Sequence, residues 1–140
     1  MKKIALLGLF AATCSFAASP AKTTISNEDA AALYNALNSV KDGLSPANVG
    51  AAAGDIWILK GVAEDVGVQD NRRQVAITRA NVSKDMATGV EKALADWDAF
   101  RVAVVPLELI PLTPFTDQEI RDAKITPALL APIQHYLFPK

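Results

Sequence analysis

The chain of 140 residues is poor in the side chains that most enzyme sites use. It contains one cysteine, Cys14, and one histidine, His135. A histidine-based acid–base pair or a hydrolase triad would require His135, which lies between Gln134 and Tyr136 on a predicted helix. The sequence also has no nucleophile elbow, that is, no serine in a glycine-flanked turn. We therefore interpret His135 as a surface or helix-terminal residue.

Carboxylates and glycines do not form a recognisable catalytic or metal-binding pattern either. Glu64/Asp65 and Asp96/Asp98 are one or two positions apart on predicted helices, so their side chains point in different directions. Segment 65–70 lacks the alternating ligands of a calcium loop, and no glycine loop is followed by a lysine for phosphate binding. We expect no enzyme activity, no cofactor and no metal. A small hydrolase using carboxylates distant in sequence is a competing hypothesis.

The first 17 residues have the three parts of a cleavable secretory signal peptide. Two lysines follow the first methionine, residues 4–13 form a short apolar core, and the small residues Ser15 and Ala17 suit signal peptidase. We predict a signal peptide over residues 1–17 with cleavage after Ala17. Cleavage one or two positions later is a near alternative.

Two other interpretations of this segment stay open. The first is an uncleaved anchor, although so short an apolar run spans a ~30 Å hydrocarbon core only if the bilayer thins. The second is lipid modification of Cys14. Ala11 and Thr13 occupy the places where the bacterial lipoprotein box has leucine and a small residue, so this sequence departs from the box.

Cleavage would leave an exported chain of about 120 residues without cysteine, which excludes disulfides, thiolate catalysis and cysteine metal sites. The whole chain has 14 basic and 15 acidic residues, and loss of the two signal lysines leaves a net charge of −3. Such a balance disfavours nucleic acid and anionic membrane surfaces as partners. We expect a periplasmic or secreted protein, with no stable membrane insertion after cleavage.

Residues 18–25 are small and polar without a period, and we predict a flexible lead-in there. Residues 26–140 are predicted to form a single helical domain. Ser26 is a candidate N-cap for a first helix that stops near Gly43. A serine and Pro46 then open a second helical pattern, which either continues past Gly67 or restarts there.

The remaining pattern predicts a third helix, an arm and two short helices. Ser83 is the candidate cap of the third helix, and Pro106 lies in the apolar stretch that follows, which we interpret as an extended arm or edge strand. A capping box is predicted at Thr116 and a final helix after Thr126, where Pro132 should kink or shorten it. The fold class is thus mostly α: a helical hairpin or three-helix body, covered by a proline-containing arm and a short C-terminal helix.

Four residues are candidates for an interaction surface. Trp57 and Trp97 have helical spacing and are predicted to lie in the core, but either one, if exposed, would be the leading contact residue for a partner. Gly50 and Gly54 form a small-residue face that suits close packing of two helices. Self-association through that face is a further interpretation.

Segments ISNEDAAALYNALN, AEDVGVQDNRR and VPLELIPL followed by ITPALL resemble small helical proteins of unknown function encoded by tailed phages and prophages. The resemblance covers much of the chain after the predicted signal, and it implies an accessory or assembly role without functional residues. The export signal and the glycine content depart from that group.

The expected function is that of an exported, non-enzymatic interaction protein with a protein partner, in the periplasm or outside the cell. The alternative is an envelope or virion structural component that assembles through the Gly50/Gly54 face.

Overall fold

The computed structural model describes residues 19–83 and 87–140. The predicted signal peptide, its cleavage position and Cys14 lie outside the described residues. Helices account for 73% of the structure, and the mostly α class is confirmed. No helix in the described ranges is long and apolar enough to cross a membrane.

Eight elements follow one another along the described chain. They are strand β1 (Ala21–Ser26), helix α1 (Asn27–Val40), a 3₁₀ turn (Lys41–Gly43), helix α2 (Pro46–Val82), helix α3 (Ala87–Val102), strand β2 (Val104–Leu109), helix α4 (Asp117–Asp122) and helix α5 (Pro127–Leu137).

Helix α1 lies at the centre of the body and contacts α2, α3, α5 and β1. Its N-terminus is capped as predicted, because the Ser26 hydroxyl accepts a hydrogen bond of 3.1 Å from the Asp29 N–H. Five apolar side chains of α1 are buried in the core, whereas each of the other elements contributes at most two. The buried apolar residues are Ile25, Ala30, Leu33, Ala36, Leu37, Val40, Ala52, Leu59, Leu109, Leu112, Ala123, Ile133 and Leu137.

Strand β1 corrects the prediction of a flexible lead-in over residues 18–25. It pairs antiparallel with β2, from Ala21 opposite Leu109 to Ser26 opposite Val104. The strand is short and mostly polar, so its own sequence carries little strand signal. Its partner stabilises it, together with burial of Ile25, which is 1% exposed.

Strand β2 is the proline-containing arm predicted from the sequence. The Asn27 N–H donates to the Ala103 carbonyl at 2.9 Å. Asn27 and Ala103 are therefore a hydrogen-bonded pair, directly beside the last pair of the ladder, Ser26 and Val104. By alternation along the pairing register, the backbone N of Pro106 points away from β1. The ladder therefore loses no donor at Pro106, because an edge strand tolerates proline at an outward position.

Helix α2 is continuous from Pro46 to Val82, so the pattern does not restart at Gly67. Its buried residues are confined to its first half, where Asn48, Ala52, Asp55 and Leu59 lie on one face. All α2 residues beyond Gly67 are half-buried or exposed. This second half and α3 form a helical hairpin that extends from the body.

Ser83, the predicted cap of the third helix, is the C-cap of α2, where its N–H donates to the Arg79 carbonyl at 3.1 Å. Residues 84–86, which precede α3, lie outside the described residues. Helix α5 runs through Pro132 to Leu137 and is not shortened at the proline. The carbonyl that loses its intrahelical partner belongs to Ala128, which is exposed and accessible to water. The Tyr136 hydroxyl donates to Asp29 at 2.6 Å and joins α5 to the start of α1.

The Glu119 carboxylate joins α4 to the start of α2. One oxygen accepts hydrogen bonds from the Ser45 N–H at 3.0 Å, the Ser45 hydroxyl at 2.6 Å and the Asn48 amide at 3.0 Å. The other accepts from the Thr116 N–H at 2.8 Å, which completes the predicted capping box. The Asn48 side-chain oxygen in turn accepts from the N–H and hydroxyl of Thr113. We call Ser45, Asn48, Thr113, Thr116 and Glu119 the polar clamp.

Hydrogen bonding outweighs burial at the Glu119 carboxyl. Burial alone raises its pKa, but the bonds from the Ser45 side chain, the Thr116 and Ser45 backbone and the Asn48 side chain bring the pKa to about 2. The folded chain thus holds Glu119 ionised more firmly than the unfolded chain does. Its contribution to stability is present above pH 4.5 and is lost as pH falls toward 2.

We expect Glu119→Ala to lower the free energy of unfolding by about 3 kcal/mol at pH 7, since four hydrogen-bond donors lose their charged acceptor. Urea titration measures the loss. Asp122→Ala, an exposed change on the same helix, should cost less than about 0.5 kcal/mol. Equal effects of the two substitutions, or a Glu119→Ala deficit that does not shrink on acidification below pH 4.5, would contradict the clamp.

Candidate functional site

The structure places Trp57 on the outside of the body. Its exposed fraction is 77%, so the prediction that Trp57 belongs to the core is wrong. The buried face of α2 follows Asn48, Ala52, Asp55 and Leu59, and Trp57 points to the opposite side. The prediction was wrong because Ile56, next to Trp57, has the spacing of a core residue. The side of α2 that is actually buried includes two polar residues, Asn48 and Asp55.

Trp57 begins a continuous exposed line of side chains along α2, spaced alternately by four and three residues. We call this line the outer stripe. It comprises Trp57, Gly61, Glu64, Val68, Asn71, Val75, Thr78 and Val82, each of which is exposed. Among them Val68, Val75 and Val82 are 51%, 38% and 85% exposed, so the stripe collects four large apolar residues at the surface.

Between Trp57 and Val82, the side of α2 opposite the outer stripe is half-buried. Val66, Arg73, Ala76 and Ile77 are partly covered there, where α3 packs against α2. Apolar groups on both sides explain why α2 lacks a single apolar face. The outer stripe therefore has no covering element in the described chain.

Trp97 is half-buried on α3, apart from the outer stripe. The Arg73 guanidinium lies over the Trp97 ring, with its central carbon 5.3 Å from the ring centroid. The centroids of the Trp97 and Phe100 rings are 6.5 Å apart. Trp97 also lines an open cleft of about 410 Å³ between α1, α2 and α3, with Tyr34 and Asp70 among the other walls. Trp97 was predicted to lie in the core, and the structure places it half-buried at the edge of the body.

The two glycines have different surroundings. Gly50 is exposed, and a Cβ atom added to it would meet nothing within 4 Å. A Cβ atom on Gly54 would lie 2.8 Å from Ile110 Cδ1, so this chain's own β2 end covers Gly54. Gly50, Gly54 and Trp57 are four and three residues apart along one side of α2, but Trp97 lies on α3, so the structure does not bring all four together as one site.

The carboxylates considered for catalysis are dispersed on the surface. Glu64 lies 3.7 Å from Lys60, Asp96 lies 2.6 Å from Lys92, and Asp98 lies 2.9 Å from Arg101. His135 is exposed next to Tyr136. In the ranges that the structure describes, no group of three or more His, Cys, Asp or Glu residues is placed to hold a metal ion.

Asp55 is a buried carboxyl that sequence reasoning did not single out. It has no exposed surface; one oxygen accepts a hydrogen bond of 2.6 Å from the Ile110 N–H, and the other has no partner within the described residues. Burial raises its pKa from 3.8 to about 7, although the Ile110 bond lowers it. Asp55 lines neither the Trp97 cleft nor the shallow cleft beside Trp57, so it does not form a carboxylate pair there.

Comparison with protein-family models, curated proteins and solved structures found no match to this chain.

The raised pKa of Asp55 predicts that stability falls as pH increases from about 4 to above 7, because the folded chain holds the proton that the unfolded chain releases. The full effect is up to about 4 kcal/mol. We expect Asp55→Asn to remove this slope and to raise the free energy of unfolding at pH 8 by about 1–3 kcal/mol. Asp65→Asn, an exposed change on the same helix, should keep the slope. Chemical unfolding at several pH values measures both, and an unchanged slope in Asp55→Asn would contradict the assignment.

Alanine at the two glycines should separate helix propensity from packing. We expect Gly50→Ala to raise the free energy of unfolding by about 0.5–1 kcal/mol, since alanine is the better helix former and has open space. Gly54→Ala should gain less or nothing, because Ile110 must move. Thermal or urea unfolding compares them, and an equal gain at both positions would rule out the Ile110 contact.

Proposed function

We propose that this protein is an exported, non-enzymatic interaction protein that contacts a protein partner through the outer stripe of α2. The observation that carries the proposal is the 77% exposure of Trp57. Tryptophan is the residue type most enriched at the energetic centre of protein interfaces. An exposed tryptophan in line with three exposed valines is unusual on a surface that contacts only water.

The surface around Trp57 suits a protein better than a small molecule. Trp57, Ile58, Lys60, Gly61 and Glu64 line a shallow, open depression rather than an enclosed cavity. Small ligands usually require a concave pocket that buries most of their surface, whereas a helix face can pack against another helix.

The site of action in this proposal is the periplasm or the exterior of the cell, and it rests on the signal peptide predicted for residues 1–17. A role as an envelope or virion component remains the second candidate. The continuous outer stripe on the long helix α2 supports that role. The Gly50/Gly54 face supports it less, because Ile110 of the same chain covers Gly54.

Photo-crosslinking in the envelope of the producing cell tests the proposal. We expect a photoreactive phenylalanine analogue at position 57 to form a discrete adduct, and the same analogue at position 104 to form none. Val104 is a matched control, because it is also apolar and 64% exposed but lies on β2. Adducts at position 104 and none along the stripe would contradict the proposal.

A further inference from the structure

The spacing of the outer stripe is that of a coiled-coil seam. Steps of four and three residues repeat every seven positions, so Gly61, Val68, Val75 and Val82 take one seam position and Trp57, Glu64, Asn71 and Thr78 take the other. From Trp57 to Val82 the stripe covers about 39 Å of helix at 1.5 Å per residue. This length suits a second helix lying alongside α2, on the side opposite α3.

Charged residues beside the stripe restrict what that second helix can be. Asp65, Arg72 and Arg79 follow the Glu64, Asn71 and Thr78 positions directly, and in an antiparallel pair these flanking positions face their own equivalents. All three are exposed. Within the described residues neither Asp65 nor Arg72 forms an ion pair in its own chain.

A second copy of α2 is complementary to this pattern in one antiparallel register. Placing Val68 against Asn71 of the second copy brings Asp65 of each chain next to Arg72 of the other, which gives two symmetric opposite-charge contacts. Moving the register by one heptad in one direction places Arg72 against Arg72, with Asp65 of each chain next to Arg79 of the other, and moving it in the other direction places Asp65 against Asp65. The first register is therefore the one with opposite-charge contacts and no like-charge contact among these positions. A parallel pair would place Glu64 against Glu64 in the seam. Like charges in those positions are unfavourable, so charge selects the first register.

The same register covers the most exposed apolar residues of the stripe. Trp57 of one copy meets Val82 of the other, and these side chains are 77% and 85% exposed in the single chain. In this register both ends of the stripe are covered by the second copy. A shift of one heptad in either direction would leave Trp57 or Val82 without a facing side chain of the stripe. The bodies then lie at opposite ends of the helix pair, with the tip of each hairpin near the body of the other.

We propose that the outer stripe joins two copies of this chain in an antiparallel, two-fold symmetric helix pair with two symmetry-related Asp65–Arg72 contacts along one flank. This inference rests on the proposed use of the stripe as an interaction surface and names its occupant. Glu64, Asn71 and Thr78 are polar seam positions, so the association is reversible and depends on concentration.

Sedimentation equilibrium of the purified chain without its predicted signal tests the inference by charge reversal. We expect a monomer–dimer equilibrium that either Arg72→Asp or Asp65→Arg weakens by about tenfold or more, since each creates two like-charge contacts. The double variant Asp65→Arg with Arg72→Asp should return to within about threefold of the original, because the charges are exchanged. Lys22→Asp, at an exposed position on β1, changes the net charge by the same amount as Arg72→Asp and should leave the dimer unchanged.

A monomer at all concentrations up to about 1 mM would overturn the inference. So would a dimer that ignores both reversals, or single variants that the double variant does not rescue. Circular dichroism and urea unfolding confirm that the variants fold, as expected for exposed positions. A monomer that still forms a Trp57-dependent adduct with a different protein would leave the proposed function intact while refuting self-association.

Discussion

The Glu119 carboxylate determines how the long helix is held. It is 3% exposed and accepts hydrogen bonds from the start of α2 and from the start of α4, so two helix N-termini share one negative charge. Asn48 extends this polar clamp to Thr113. A buried charge is stable only where its donors are already positioned, and a helix N-terminus supplies such donors. The clamp thus sets where α2 begins and in which direction it leaves the body.

That direction matters because α2 has two roles along its length. Its first half buries Ala52 and Leu59 against the core, while its second half, with α3, extends beyond it. One continuous helix connects both halves, so the body and the packing of α3 together position the outer stripe from Trp57 to Val82. A partner would meet a surface that is already ordered, which lowers the entropic cost of binding.

Asp55 in α2 shows the opposite electrostatic behaviour to Glu119 in α4. Both are buried carboxyls, but Glu119 has a full set of donors and Asp55 has one, so their pKa values move in opposite directions, to about 2 and about 7. Acidification below pH 4.5 weakens the first contribution, and a rise toward pH 7 weakens the second. Between them these two groups favour the folded state most near pH 4–5.

Local signals in the sequence determined the helices. The caps at Ser26, Thr116 and Thr126 and the proline at the start of α2 act through neighbouring backbone groups, so their effect could be predicted without knowing the fold. Strand β1 could not be predicted, because its partner strand lies about 80 residues away in the sequence. The prediction that Trp57 lies in the core was also wrong, since α2 has apolar residues on several sides and its sequence does not show which side is buried. Only the tertiary structure decided which side the body covers, because burial depends on contacts between segments that are far apart in the chain.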